Sequence, residues 1–304
     1  MKKLLLLLAF ASAGFTASAA DKKIIFIAGR PSHGPLAHEH RAGCLLLAKC
    51  LQGFPGIVTE VHTNGWVQNE SALDGVAAVV IYSDGGGGHP LLKDDKLQRI
   101  GALMEKGVGL ACLHYATEPT PEKGQKEFLE WLGGAFEPNW SVNPHWDADF
   151  TVLPKHPITR GVARFKTNDE WYFHLRWAEG MKGVTPILSA IAGPDTMSRP
   201  DGHHSGNPAV RKSVANKEPQ TVAWAMERAD GGRGFGFTGG HNHLGWKDEN
   251  QRRLVLNAIL WVAKVEVPNG GVQSAVSEAD LMANLDPKQA LKPKAAPAKK
   301  AEAK

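Results

Sequence analysis

The apolar positions of this chain fall into two kinds of run. Short, nearly unbroken stretches at Lys23–Ala28 (KIIFIA), Ile57–His62, Val76–Tyr82 and Val108–Leu113 read as strands covered on both faces, as in a parallel sheet. Between them the apolar period changes to that of a helix. From His38 to Gln52, residues Gly43, Leu46, Leu47 and Cys50 follow an i, i+3, i+4, i+7 pattern. Further helices are predicted over Lys93–Lys106, stopped by Gly107, and near Glu122–Leu132. The order β-α-β-β-α-β-α predicts an α/β fold: a mostly parallel sheet with helices on both faces. The second half is less regular. Strands are expected at Ala148–Leu153, Pro186–Ile191, Thr221–Met226 and Gly234–Thr238. A closing helix, Glu249–Lys264, carries Val255, Ala258, Ile259 and Val262 as its core stripe. Beyond Pro268 periodicity is lost, and no internal repeat is visible. These patterns predict three segments: 1–20, a folded domain over 21–266, and a linker with a disordered Lys/Ala/Pro-rich tail over 267–304.

Composition changes little in that picture. With 304 residues, 42% apolar and 22% charged, the chain is not disordered throughout, collagenous or a membrane bundle. The net charge of +4 is misleading, because it sits at the two ends. Lys2 and Lys3 carry +2, and six lysines against Glu302 give the tail after Pro287 about +5, so the folded body is left at about −3. A nucleic-acid-binding surface on the body is therefore not expected. Residues 1–20 (MKKLLLLLAFASAGFTASAA) have two lysines, the apolar run Leu4–Leu8 and small residues up to Ala20. That is the three-part pattern of a secretory signal, too short to span a bilayer, and it predicts a secreted or periplasmic mature protein without a transmembrane segment. Cys44 and Cys50 lie six residues apart on a predicted helix, about 9 Å of rise and beyond the reach of a disulfide. Three free thiols are expected.

In an open parallel sheet, ligands bind outside the carboxyl ends of the strands, where loops converge. Histidine recurs at these ends. His33, His38, Glu39 and His40 follow the first strand, Asp84 and His89 the third, His114 the fourth, and His241 and His243 the last. Imidazole is both a common metal ligand and the side chain that titrates near neutrality. His114, His241 and Glu170 are candidate ligands of one divalent metal ion such as zinc, which would keep an open position for a water or a sugar hydroxyl. His114, Glu170 and His38 are the candidate acid–base residues. His33, Asp84, Trp171, Tyr172 and His243 are candidate substrate contacts, since aromatic faces suit sugar rings. His62, His145, His156, His203 and His204 read as structural or surface groups. The run Gly85–Gly88 lacks the Gly-Lys-Ser/Thr ending of a phosphate loop, and no nucleotide cofactor is expected. Cys112 lies two residues before its strand ends, whereas an elbow nucleophile sits on the turn itself, where this chain has His114.

Several segments together resemble the ThuA-like (trehalose-utilisation) family, whose fold is that of class I glutamine amidotransferases. They are Ile24–His40, the stretch from Gly107 to His114 (GVGLACLH), His156-Pro157-Ile158-Thr159, Asp169-Glu170-Trp171-Tyr172, and Gly239-Gly240-His241 ahead of a helix with Trp261-Val262. They span about residues 23–264. The resemblance implies a flavodoxin-like three-layer α/β/α sandwich. It also implies that His114 stands where an amidotransferase has its cysteine, so glutaminase chemistry is not expected. The family's association with sugar metabolism, oxidised 3-keto-glycosides included, points to a carbohydrate ligand. The chain departs from short family members by its N-terminal segment, a longer loop at Pro194–Lys217 and its basic tail. The expected function is an exported hydrolase or lyase on glycosides or 3-keto-glycosides. The alternatives are a carbohydrate-binding protein using the same cleft and a hydrolase using Cys112.

Overall fold

The computed structural model describes residues 21–288; the expected signal segment 1–20 and the tail 289–304 lie outside the described residues. Its centre is a seven-stranded sheet. The strands are β1 (Lys22–Ala28), β2 (Ile57–His62), β3 (Val76–Tyr82) and β4 (Gly109–Leu113), then, after smaller elements, β9 (Val184–Ile191), β10 (Pro219–Glu227) and β11 (Arg233–Phe237). They are ordered β2-β1-β3-β4-β11-β10-β9. All adjacent pairs from β2 to β11 are parallel, and β10 alone runs against the rest. The expected mostly parallel sheet is present.

Alternation along the strands divides the core in two. Ile24, Phe26, Val80, Tyr82, Leu113, Phe235 and Phe237 face one side, under α1 (His40–Cys50) and α5 (Glu249–Val262). Ile25, Ile27, Val79, Ile81, Leu110 and Cys112 face the other, under α2 (Lys96–Met104) and α3 (Gln125–Trp131). This is the α/β/α layering that a doubly covered sheet requires. Two antiparallel pairs sit outside the sheet: β5 (Gly134–Ala135) with β8 (Arg176–Trp177), and β6 (Trp146–Phe150) with β7 (Phe165–Asp169). No helix among the described residues is long and apolar enough to cross a membrane.

Some boundaries differ from the sequence pattern for local reasons. The first helix begins at His40 rather than His38, because His38 has φ +50° and Glu39 is its non-helical cap. The second begins at Lys96, because Pro90–Leu92 forms a separate 3-10 turn and Asp94 is left-handed at φ +53°. The strand expected at Ala148–Leu153 lies at Trp146–Phe150, and its partner β7, read as a loop, brings Asp169 to a strand end. The stretch Pro194–Lys217, read as one loop, contains α4 (Pro208–Ala215), capped by the Asn207 side chain, which accepts from the N–H groups of Ala209 and Val210. Residues 267–288, expected as a linker, include α6 (Glu278–Met282) and pack on the domain. Val267, Val272 and Leu281 are buried in the core, and the N–H of Val272 donates to the Asn257 side chain.

His89, one of the strand-end histidines, is fully buried and structural. Its Nδ1 accepts from the N–H of Leu91 and its Nε2 donates to the carbonyl of Ala116. Burial pushes its pKa down to about 4, partly opposed by the Ala116 hydrogen bond. The unfolded chain therefore gains a proton near pH 6.5 that the folded chain refuses until about pH 4. Stability is fully present above pH 6.5 and falls below it, by ~3 kcal/mol from this group at about 1.4 kcal/mol per pH unit. Urea midpoints of the wild type should drop more steeply from pH 6.5 to 4 than those of His89→Gln. Parallel curves would remove His89 as the cause.

Candidate active site

β1, β3, β4 and β11 are consecutive neighbours in the sheet. Strand spacing is about 4.8 Å, so their four carboxyl ends lie within roughly 15 Å. The loops leaving them bring together residues far apart in sequence. One nitrogen each from His38, His114 and His241 and one oxygen of Glu170 all lie within 4.8 Å of one another.

Each member is held by a specific local device. β4 ends at Leu113, and His114 turns the chain with φ +57°, a costly conformation for a non-glycine residue. Its Nδ1 donates to the carbonyl of Thr238, just past β11, at 2.8 Å. His38, also left-handed, places Nδ1 2.8 Å from Asp84 Oδ1 at the end of β3. Glu170 follows β7, and its Oε1 accepts from the Asn143 side chain at 3.1 Å. His241 follows two glycines that nothing larger could replace. A Cβ on Gly239 would lie 2.4 Å from the Trp171 ring, and Gly240 has φ +100°. Buried Asp169 fixes that turn, accepting the N–H groups of Gly240 at 2.7 Å, Asn242 at 3.2 Å and Glu170 at 2.8 Å.

The hydrogen bonds set the protonation of the centre. A carbonyl oxygen can only accept, so His114 carries its hydrogen on Nδ1 and presents a lone pair at Nε2. The Asp84 carboxylate does the same for His38. Both rings are held neutral. Burial drives the pKa of His38 far down, helped by His33, His40 and His241. Burial likewise lowers His114, helped by His38 and opposed by Glu170. The two Nε2 lone pairs face each other at 3.1 Å. His241 Nδ1 lies 3.0 Å from His38 Nε2 and 2.9 Å from Glu170 Oε2. The Tyr172 hydroxyl lies 3.3 Å from both His114 Nε2 and Glu170 Oε2. Three acceptors, His38 Nε2, His114 Nε2 and Glu170 Oε2, thus compete for two hydrogens. Burial would raise Glu170, but the His241 hydrogen bond and the imidazoles of His114, His241 and His145 bring its pKa below the usual value.

Such a deficit of hydrogens suits a cation. Ligands of a tetrahedral zinc at about 2.0–2.1 Å sit roughly 3.3 Å apart. Four of the six pairs run from 2.9 Å (His241 to Glu170) to 3.7 Å (His114 to Glu170), and the other two, His38–Glu170 and His114–His241, lie within 4.8 Å. Three imidazoles and a carboxylate suit zinc or a neighbouring first-row divalent ion. Asp84 and Thr238 would orient the imidazoles of His38 and His114 toward such an ion.

The structure gathers His38, His114, Glu170 and His241, which the sequence singled out, and places Tyr172 against them. Asp84 and His33 stand at the rim. The His33 ring stacks on His38 at 3.6 Å, and Ser32 Oγ donates to Asp84 Oδ1 at 2.9 Å. Two expected substrate contacts are placed elsewhere. Trp171 is fully buried among Phe150 and Phe237, with its indole N–H on the Thr167 carbonyl. His243 is buried and donates to the Leu281 carbonyl at 2.9 Å. His145, read as structural or surface, lies at the rim, its Nε2 4.0 Å from Glu170 Oε1 and its ring edge-on to His241. His204 pairs with buried Glu118 at 3.0 Å. Both partnerships cross long loops, and no spacing in the sequence announces them. Asn143 was not singled out in the sequence, and Asp169, whose pair with Glu170 reads as a possible acid, base or ligand, instead accepts three backbone N–H groups beneath His241. Cys112 is buried under the α2 and α3 layer, and burial raises its thiol pKa.

The family model described as trehalose utilisation, ThuA, matches residues 34–262 and so takes in every residue of the centre. The chain belongs to the ThuA family. That membership links it to carbohydrate metabolism. Among solved structures, a ThuA-like protein of Bacteroides uniformis superposes with TM-score 0.57 at 17% identity, covering 82% of this chain and 95% of that one. A ThuA-like protein of Parabacteroides merdae superposes with TM-score 0.53 at 13% identity, covering 85% and 94%. At these identities the likeness concerns the fold, and it agrees with the flavodoxin-like, amidotransferase-like sandwich expected for a ThuA chain. No curated protein matches this ThuA chain.

Proposed function

We propose that this ThuA-family chain is an exported carbohydrate-active enzyme, a hydrolase or lyase acting on glycosides or 3-keto-glycosides. The observation that carries the reading is the pair of lone pairs, His38 Nε2 and His114 Nε2, facing each other at 3.1 Å beside Glu170 and His241. In this reading those four residues hold one divalent ion, with Asp84 and Thr238 fixing the imidazoles. When bound, the ion would polarise a keto or hydroxyl oxygen of the sugar. Proton transfer falls to the rim. His33 is 44% exposed, and its pKa lies below the ordinary value through burial, against the pull of Asp84, so it is neutral and basic at pH 7. It would take a proton from the carbon beside a keto group. That electron pair forms a double bond to the anomeric carbon as the glycosidic C–O bond breaks. The departing oxygen takes up the proton that His33 removed, so the step balances. Tyr172 stays protonated, because burial and then Glu170 raise its pKa, and so it can only donate at neutral pH. A hollow of about 500 Å3, lined by Arg30, Asn64, Ser83, Asp84 and Lys93, opens beside the centre and could seat a sugar ring. The N-terminal pattern supports export of the mature chain.

The test is metal analysis of the purified mature protein together with turnover of glycosides and their 3-keto forms. One equivalent of metal and turnover of a keto-glycoside are expected. Sugar binding without turnover or metal would assign the cleft to a binding protein instead. Cys112→Ala should retain full activity, because its thiol is buried and protonated; lost activity with an unchanged melting temperature would revive the thiol mechanism.

A further inference from the structure

The segment from His33 to His38 is strained. His33 at φ +58°, Leu36 at +64° and His38 at +50° are three left-handed non-glycine residues within six. Such a loop persists only where its surroundings over-determine it. Part of the surroundings comes from the His241–His243 turn, where the N–H of His38 donates to the His241 carbonyl and the N–H of His243 to that of Leu36, and the rest comes from residues 277–288. Lys288 Nζ lies 3.2 Å from Glu39 Oε1 and donates to the carbonyls of Ala37 and His38. The N–H of Asp286 donates to Glu39 Oε2 at 2.9 Å, while Glu39 Oε1 also accepts from the N–H of Leu36 at 3.0 Å. The Lys288 and Glu39 side chains are 5% and 1% exposed, so the pair is shielded from water. Arg41, on α1, donates to the Asn284 carbonyl, and His243 to that of Leu281.

We infer that Ser277–Lys288 is a positioning strap for the histidine centre. Through the buried Lys288–Glu39 pair it holds the His33–His38 loop in the left-handed course that aims His38 Nε2 at His114 and His241. Lys288 is a positioning residue and touches no ligand atom of the cluster. A buried charge whose partner is removed becomes strongly unfavourable, and the cheapest relief is for Glu39 to swing toward water. That motion carries the neighbouring His38 with it. The α6 contact to the body through Lys247 and Glu278 is different, because both side chains are exposed at 3.7 Å and contribute little.

The inference concerns the same site as the reading above, yet its test needs neither cation nor substrate. Hydrogen exchange of the metal-free full chain is followed for Lys288→Met, with Lys247→Ala as the control. Amides of residues 34–43 should exchange roughly tenfold faster or more in Lys288→Met, with the central strands unchanged and the control like the wild type. Cobalt(II) titration should then show weaker binding by Lys288→Met wherever the wild type binds. Unchanged exchange at 34–43, or faster exchange spread over the whole sheet, overturns the strap. If Lys288→Met does not fold, the polar variant Lys288→Gln is measured, and failure of both to fold also overturns it, since the pair would then serve the whole fold. A wild type that binds no cobalt would count against the metal reading alone and leave the exchange result standing.

Discussion

His114→Ala should lose metal and turnover together while keeping the fold. The ring is fully buried, and its Nε2 is one corner of the four-atom cluster. Loss of an outer-shell partner typically weakens a metal site by 10–100-fold, so loss of a ligand should exceed about 100-fold. Turnover should fall at least as far, because the ligand removed also keeps Tyr172 and Glu170 in register at 3.3 Å and 3.7 Å. The fold should survive, because Ala leaves only the Thr238 carbonyl without its partner, at about 1–3 kcal/mol. Metal content by mass spectrometry, kcat on the best keto-glycoside and thermal melting are read on one preparation. Asp84→Asn is the informative companion. It leaves the ligands in place but removes the charge that fixes the His38 tautomer, so affinity should fall about 10–100-fold. A His114→Ala protein with full metal content would end the metal reading. Turnover that survives would remove His114 from the chemistry altogether.

How much of this centre could be read from the chain depended on the range of the forces involved. Apolar periodicity is local, and it located all seven strands of the central sheet and the helices α1, α2, α3 and α5 to within a few residues. The rule that ligands gather at carboxyl strand ends then pointed to His38, His114 and His241. These three converge because β1, β3, β4 and β11 are adjacent, a fact of topology rather than of composition. The same rule drew in His243 as a substrate contact, whose ring turns inward to the Leu281 carbonyl, whereas His89, at another strand end, is held to the Ala116 carbonyl as a structural histidine. Trp171 was misread for a related reason: an aromatic beside Glu170 serves equally well as a wall that only glycine at 239 can approach. What was illegible is what long loops do. Asn143 and His145 reach Glu170, His204 reaches Glu118 and the strap reaches Glu39 through connections whose lengths leave no periodic signature. The α6 helix could have been suspected from Ser277 and Asp280, which form a reciprocal cap.

Asp169→Ala should be the most damaging single change outside the ligand set. The carboxylate is 1% exposed and accepts three backbone N–H groups, two of them in the Gly239–Asn242 turn that carries His241. Alanine leaves those donors without partners at ~1–3 kcal/mol each, so the loss should be about 2–6 kcal/mol if water reaches one of them. For a domain of this size each kcal/mol moves Tm by roughly 2–4 °C, which gives a fall of about 4–24 °C. Gly240 is left-handed, and the turn's other anchors hold its carbonyls: the Tyr82 hydroxyl donates to that of Gly240 and the N–H of His38 to that of His241. With its N–H groups released, His241 should shift even in the molecules that remain folded. Calorimetry and cobalt binding at a temperature well below the lowered Tm separate the two effects. Asp169→Asn should cost less than the alanine variant, since one side-chain oxygen still accepts. A melting temperature within about 2 °C of the wild type for Asp169→Ala would mean that the three N–H groups find water on their own. In that case the position of His241 would have to be set by the hydrogen bond from His241 Nδ1 to Glu170, 2.9 Å long, rather than by the turn beneath it.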